Sequence, residues 1–130
     1  MAARRKIYIS YTEPDRPYAD RIFSNLNRDL VTVVNADGPS TGSDWKALTA
    51  AQLTEAELVV VVVGETTHQS SFVEHEARIA RKLNKPVVVV KLEPGYVLPS
   101  ELYDVRATWT DVDGCGSAVA TALEEHNGTA

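Results

Sequence analysis

Short runs of apolar residues alternate along the chain with stretches in which apolar residues recur every three or four positions. The first pattern is typical of strands and the second of helices that bury one face. Two of the runs are almost continuously aliphatic, as in strands covered on both faces of a sheet. Together the runs predict five strands, at Ile7–Tyr11, Leu30–Val34, Leu58–Val63, Val87–Leu92 and Val105–Trp109.

Four helices are expected between and after these strands. Proline, aspartate, serine and asparagine near their predicted ends are typical start and stop signals. The helices are placed at about 15–28, 45–56, 71–83 and 117–126. The residues expected to face inward on the first two are Tyr18, Ala19, Ile22, Phe23 and Leu26, and then Trp45, Leu48 and Leu53.

This alternation predicts an α/β fold: a flavodoxin-like, doubly wound, five-stranded parallel sheet with helices on both faces. A length of 130 residues fits one domain over 1–130, with flexible ends at 1–5 and 127–130. In such sheets ligands bind beyond the carboxyl ends of the strands, near the point where the strand order reverses. Those ends are expected at 10–12, 35–37, 64–67 and 92–96.

The composition limits the classes of partner and location. The chain has 13 basic and 18 acidic residues, a net charge of −5. Nucleic acids and anionic membranes bind to concentrated basic surfaces, so we expect neither as a partner, and the cluster Arg4-Arg5-Lys6 is interpreted as a solvated lead-in rather than a binding arm. The single cysteine, Cys115, suits a reducing cytosol. No apolar stretch approaches the roughly 20 residues of a membrane span, so we expect a cytoplasmic location.

One acidic residue breaks the pattern of the third helix. On a helical wheel at about 100° per residue, the apolar residues share one sector; they are Phe72, Val73, Ile79, Ala80 and Leu83. Glu76 lies near the middle of that sector. Glu74 lies on the opposite side, where it can pair with Arg78 four residues later.

Packing alone does not explain Glu76, because a buried carboxylate without a partner is costly. A carboxylate that faces the strand ends could accept hydrogen bonds from a sugar. It could also stabilise the positive charge that grows as a glycosidic bond breaks. The alternative is structural: Glu76 caps backbone amides or pairs with a basic group of a neighbouring element.

The segment 63–76, Val-Gly-Glu-Thr-Thr-His-Gln-Ser-Ser-Phe-Val-Glu-His-Glu, resembles the signature of TIR domains. In that family a strand, a loop and a helix start of the form Ser-x-Trp-x-x-x-Glu bring a glutamate to an NAD site. Here Ser70 or Ser71, Phe72 and Glu76 match these positions, and Lys6-Ile-Tyr-Ile-Ser-Tyr11 resembles the first strand. The order Gly-x-x-Thr-His, Ser-Ser-aromatic-Val-x-x-Glu is similar to the TIR-like proteins of the Thoeris antiphage system.

The resemblance implies an enzyme that cleaves the nicotinamide–ribose bond of NAD, with Glu76 holding the ribose and supporting an oxocarbenium-like state. It implies ADP-ribose or a cyclised or conjugated derivative as the product and a separate effector that responds to it. It is also compatible with a homo-oligomer. NAD is then a substrate, and no cofactor or metal is expected. Two features depart from the family pattern. Phe72 replaces the commoner tryptophan, and the loop Gly38–Ser43 does not resemble the loop that organises TIR filaments.

Further candidate substrate-binding residues lie at or near the predicted strand ends: Ser10, Tyr11, Thr12, Asp37, Trp45, Thr67 and Phe72. Ordinary roles compete with several of them. The segment 10–12 could simply form a turn, Asp37 precedes a glycine as turn formers do, and Trp45 could anchor the core. His68 is an auxiliary candidate for proton transfer near neutral pH, against the commoner role of an exposed loop histidine.

Other chemistries lack their motifs. The chain has no Gly-x-Gly-x-x-Gly and no phosphate-binding Gly-Lys-Ser/Thr loop, and its aspartates and histidines lack calcium or zinc spacing. A phospho-receiver domain would need an aspartate at the end of the third strand, which instead ends Val63-Gly64. Three hypotheses remain: an NAD-cleaving enzyme of bacterial antiphage defence, a non-catalytic TIR interaction module, and a nucleoside deoxyribosyltransferase-like N-glycosidase.

Overall fold

A computed structural model describes residues 4–27, 29–35, 45–93, 95–102 and 107–128 of the protein. Within these ranges the strands are β1 Arg5–Ser10, β2 Val31–Val33, β3 Leu58–Val63, β4 Val87–Lys91 and β5 Ala107–Thr110. The α-helices there are α1 Arg16–Asn25, α2 Trp45–Glu55, α3 Ser71–Lys82 and α4 Cys115–Gly128. Single turns of 3₁₀ helix lie at Glu13–Asp15, Thr67–Gln69 and Ser100–Leu102.

The strands form one parallel sheet in the order β2-β1-β3-β4-β5. The chain therefore winds outward from β1 to β2 and then continues on the other side of β1, so the strand order reverses beside β1. All six residues of β3 are buried, as expected for a central strand covered on both faces. This topology confirms the predicted flavodoxin-like fold, with β5 at one edge and β2 at the other.

Each face of the sheet is covered by two helices. Ile7 and Ile9 of β1 point to the face covered by α1 and α4, and Tyr8 points to the face covered by α2 and α3. This alternation follows from the two-residue period of a strand. In the described part of the chain, no helix is long and apolar enough to cross a membrane.

Contrary to the prediction, the basic cluster at the start of the chain is not a lead-in that precedes the first strand. Arg5 and Lys6 belong to β1, and their side chains pair with Glu57 at 2.5 Å and Glu55 at 2.6 Å. The backbone explains the difference, because the Arg5 N–H donates to the Leu30 carbonyl and so pairs the start of β1 with the residue before β2.

Four of the predicted inward residues are instead exposed. The exposed fractions of Tyr18, Leu48, Phe72 and Leu83 lie between 40% and 53%. They lie at the edges of the apolar faces of their helices, which the sheet does not cover. The buried residues of α2 are Thr49 and the predicted Leu53.

Both ends of α3 are defined by local hydrogen bonds, and they set the position of Glu76. The Ser70 hydroxyl accepts from the Val73 N–H at 3.2 Å and caps the first turn. At the other end Asn84 has a left-handed backbone, φ 55°, and the Lys85 N–H donates to the Ala80 carbonyl. The helix ends where the sequence predicts.

A close approach at Gly64 joins the segments that follow β1 and β3. The buried Asp15 carboxylate accepts from the Thr12 hydroxyl at 3.0 Å and from the Thr67 hydroxyl at 3.3 Å. Thr67 in turn accepts from the Gly64 N–H at 2.8 Å. A Cβ atom at Gly64 would overlap the Asp15 carboxylate.

We therefore expect Gly64→Ala to displace Asp15 and destabilise the protein by about 1–3 kcal/mol, since buried polar groups would lose their partners. Gly95→Ala is the matched control, because a Cβ there meets no atom within 4 Å. Urea unfolding of both variants measures the difference. Equal losses of stability would contradict the close approach.

Candidate active site

The site is built by β1 and α3. Tyr8 and Ser10 are two residues apart on β1, so their side chains project from the same face of the sheet. Glu76, in the second turn of α3, lies opposite them. The Tyr8 hydroxyl donates to Glu76 Oε2, and the Ser10 hydroxyl donates to Glu76 Oε1 at 2.8 Å. Each carboxyl oxygen thus has its own hydroxyl donor.

The environment of Glu76 favours its neutral form more than water does. Its side chain is buried, with 9% exposure, and burial raises the pKa of Glu76 to about 7, against the lowering effect of the bonds from Tyr8 and Ser10. Burial and the nearby Glu76 charge raise the pKa of Tyr8 as well. Among the described residues no Lys or Arg side chain forms an ion pair with Glu76. The acid is therefore poised between its two charge states at neutral pH.

The Glu76 side chain lines a small cleft above the carboxyl end of β1, between the first turns of α2 and α3. Its volume open to water is about 30 Å³. The lining residues are Tyr8, Ile9, Tyr11, Asn35, Trp45, Thr49, Phe72 and Glu76. This is the region of the sheet at which the fold predicts a ligand site.

Aromatic side chains form the outer wall of the cleft. The rings of Trp45 and Phe72 lie 4.6 Å apart at an interplanar angle of 52°. His75 packs edge-on against Trp45 at 5.2 Å, and burial together with Lys46, Arg78 and Lys82 lowers the pKa of His75. Half of Phe72 remains exposed, so an aromatic face is available beside a carboxyl group.

The chain matches the family model described as the TIR domain over residues 7–126. It belongs to the TIR domain family. Among solved structures, this TIR domain is similar to that of the Toll-related receptor TRR-2 from Hydra magnipapillata, with a TM-score of 0.67 and 14% identity over 93% of this chain and 97% of that one. At that identity the likeness concerns the fold. No curated protein sequence matches the chain significantly.

Membership of the family confirms the predicted resemblance to TIR domains, and the narrower likeness to Thoeris proteins stays a prediction. TIR domains include NAD-cleaving enzymes and non-enzymatic signalling adaptors, and they commonly associate with themselves and with other TIR proteins. The fold alone therefore does not decide the function of this chain, which depends on the chemistry of the side chains around Glu76.

The structure brings five of the predicted site residues into this TIR domain's cleft or its wall. Tyr11, Trp45 and Phe72 line the cleft with Glu76, and Ser10 bonds to the Glu76 carboxyl group. Ser10 is 1% exposed, so its hydroxyl serves Glu76 in this conformation.

Two other predicted binding residues are engaged elsewhere. Thr12 and Thr67 bond to Asp15, and neither lines the cleft around Glu76. Thr67 is fully buried. His68 follows it in the 3₁₀ turn with a buried Nδ1 that finds no hydrogen-bond partner in the described part of the chain, and it does not line the cleft either. Asp37 lies outside the described residues.

Three polar residues that line the cleft were not predicted as site residues: Tyr8, Asn35 and Thr49. The alternation of β1 was the available signal for Tyr8, since it places a second hydroxyl on the same face as Ser10. Asn35 pairs with the Ile9 backbone, accepting from its N–H at 3.0 Å and donating to its carbonyl at 2.6 Å. An amide side chain thus continues the ladder beyond the end of β2, which no sequence pattern indicated.

No group of three or more His, Cys, Asp or Glu side chains lies close enough to hold a metal ion in the described ranges. The single cysteine, Cys115, is the first residue of α4 and is buried in the core, and burial raises the pKa of its thiol to about 12.

The buried acid should make stability depend on pH. The pKa of Glu76 rises on folding from 4.5 to about 7, so its contribution to stability is fully present below about pH 4.5 and is lost as the pH rises through 7. The full effect is about 3 kcal/mol. We expect Glu76→Gln, which cannot ionise, to gain roughly 2–3 kcal/mol relative to wild type between pH 5 and pH 8.

Denaturant unfolding of wild type, Glu76→Gln and the exposed control Glu74→Gln at both pH values measures this difference. Glu74→Gln should follow wild type, apart from the weak loss of its surface pair with Arg78 at 3.8 Å. A Glu76→Gln curve parallel to wild type would show that the acid is not buried as described.

Proposed function

We propose that this TIR domain is an enzyme that cleaves the nicotinamide–ribose bond of NAD, with Glu76 as the catalytic residue. The observation that carries the proposal is a buried carboxyl group at the carboxyl end of β1, bonded only to hydroxyl groups among the described residues. Structural carboxylates in a core usually have a basic partner or cap amides. Glu76 has neither among the residues that the structure describes, and it faces a cleft.

The chemistry of the cleft suits this bond. Departure of nicotinamide leaves positive charge on the ribose, and a carboxylate held nearby in a poorly hydrated site stabilises that charge strongly. The same oxygens can accept hydrogen bonds from ribose hydroxyls. Trp45 and Phe72 offer flat apolar faces on which an aromatic ring can stack.

The cleft must widen to receive the substrate. A volume of about 30 Å³ holds about one water molecule, which is far less than a nicotinamide ring with its ribose. Phe72 is the side chain best placed to move, because it is 53% exposed and lies at the mouth. Substrate binding then exchanges the Phe72–Trp45 contact for contacts with the ligand.

In this proposal the product is ADP-ribose or a cyclised or conjugated derivative, acting in the cytoplasm in antiphage defence through a separate effector. The motif of segment 63–76 supports this placement. NAD is the substrate, and the reaction draws on no cofactor or metal. Self-association, common among TIR domains, would serve to complete or widen the cleft.

The second candidate is a non-catalytic interaction module. The exposed aromatic side chains Phe72 and Trp109, each 53% exposed, favour it because such residues are common at protein interfaces. A nucleoside deoxyribosyltransferase-like reaction would use the same carboxyl group on a nucleoside. Product analysis separates all three.

We expect purified wild-type protein to convert NAD to nicotinamide and an ADP-ribose product, and Glu76→Gln to lose at least about a hundredfold of this rate. Glu74→Gln, two residues away on the exposed side of α3, should keep the wild-type rate. Mass spectrometry after incubation with NAD, at low and at high protein concentration, gives both the products and the rates.

Equal products and rates from wild type and Glu76→Gln would remove the catalytic role. Cleavage of deoxynucleosides with NAD left intact would favour the N-glycosidase. Turnover of neither substrate at any concentration would favour the interaction module.

The reaction should also depend on pH through Glu76. Only the ionised carboxylate can stabilise the ribose cation. We therefore expect kcat/KM to rise with pH to a plateau, with the midpoint of the rise near the Glu76 pKa of about 7. At pH 5 it should be about a hundredfold below its plateau. The midpoint of the acid limb of kcat should lie at a lower pH than that of kcat/KM. The reason is that the positive charge of the bound nicotinamide ring favours the ionised carboxylate in the complex. A flat kcat/KM from pH 5 to pH 8 would contradict this assignment.

A further inference from the structure

Tyr8 places a hydroxyl group in the middle of an apolar layer. The residue is 2% exposed and packs in the cluster between the sheet and helices α2 and α3, beside Val59 and Val61. A buried tyrosine hydroxyl needs a hydrogen-bond partner. Here that partner is Glu76 Oε2, which is 68 positions away in the sequence.

The two donors hold different oxygens of one carboxyl group. Tyr8 binds Oε2 and Ser10 binds Oε1, and both donors belong to the same rigid strand. A carboxyl group with one donor can rotate about its last bond, whereas two donors on separate oxygens define its plane. Loss of the Tyr8 hydroxyl would leave Glu76 with Ser10 alone.

Thr49 on α2 lines the same cleft as Tyr8 and Glu76, and its side chain lowers the pKa of Tyr8 against the larger effect of burial. Strand β1, helix α2 and helix α3 therefore meet at this cleft. Among the described residues, the titratable groups that interact with Glu76 are Tyr8 and, more distantly, Tyr11. His75, next to Glu76 on α3, faces Trp45 instead.

We propose that Tyr8 is a positioning residue whose hydroxyl holds the Glu76 carboxyl group in the orientation and the ionised form that NAD cleavage uses. The inference rests on the proposed function. Tyr8 lines the cleft with only 2% of its surface exposed and its hydroxyl bonded to Glu76, so it acts on the substrate through Glu76.

The expected direction of its effect follows from the bond. A hydroxyl that donates to a carboxylate stabilises the charged form, so the Tyr8 bond lowers the pKa of Glu76 against the larger effect of burial. Without the bond the carboxyl group would ionise at a higher pH and rotate more freely. Both changes reduce the fraction of molecules that are ready to react.

Tyr8→Phe tests the proposal, since it removes one oxygen atom and keeps the ring that packs in the core. We expect the pKa of Glu76, followed by carboxyl ¹³C NMR with Glu76→Gln for assignment, to rise by about one unit. The acid limb of kcat/KM should move up by the same amount. On the high-pH plateau kcat should remain several-fold lower with KM near its wild-type value, because orientation is lost and substrate contacts are not.

Two further variants provide a matched control and a second test. Tyr18→Phe makes the same chemical change at an exposed site on α1 and should leave the Glu76 titration unaltered. Thr49→Val keeps the shape of the side chain and should shift the titration in the same direction as Tyr8→Phe by a smaller amount. It carries the test if Tyr8→Phe does not fold.

The outcomes separate this inference from the proposed function. NAD turnover with a Glu76 titration and pH profile unchanged by Tyr8→Phe overturns the role of Tyr8 and leaves the enzyme intact. A shifted titration without NAD turnover in wild type supports the contact and overturns the proposed function, and with it a role of Tyr8 in that reaction. A shift in both readouts supports the proposal.

Discussion

The removal of the Glu76 carboxyl group from water is the constraint around which the site is organised. A carboxylate in apolar surroundings is costly, and proteins commonly offset that cost with a cation. Here two neutral hydroxyl groups, from Tyr8 and Ser10, provide the offset among the described residues. Neutral donors stabilise a charge less than a cation does. The acid therefore keeps a pKa of about 7 and remains able to change its charge.

The fold makes this arrangement possible by presenting the donors and the acid from rigid elements. The donors belong to a strand that is paired on both sides, and the acid belongs to a helix with a Ser70 cap at its start and a left-handed Asn84 after its end. The contact of Asp15 with Gly64 joins the segments that leave β1 and β3. A site on such elements keeps its geometry more closely than one built on loops.

Family membership and site chemistry answer different questions about this protein. The TIR fold is shared by enzymes and by adaptors, so it defines the position at which a ligand would bind but not whether a reaction takes place. The buried acid of Glu76 and the half-exposed ring of Phe72 are features of this chain's own side chains. A glycosidic cleavage needs the acid, whereas an exposed aromatic ring suits a protein interface as well.

The sequence by itself determined the order and type of the elements and the inward position of Glu76. These features depend on local periodicity, which a run such as Leu58–Val63 or a single helical wheel expresses completely. The tertiary structure alone decided that Tyr8 meets Glu76, that Thr67 serves Asp15 rather than the cleft, and that Phe72 lies outside the core. Such pairings depend on the relative position and orientation of two packed elements. The spacing of residues within one element does not determine either.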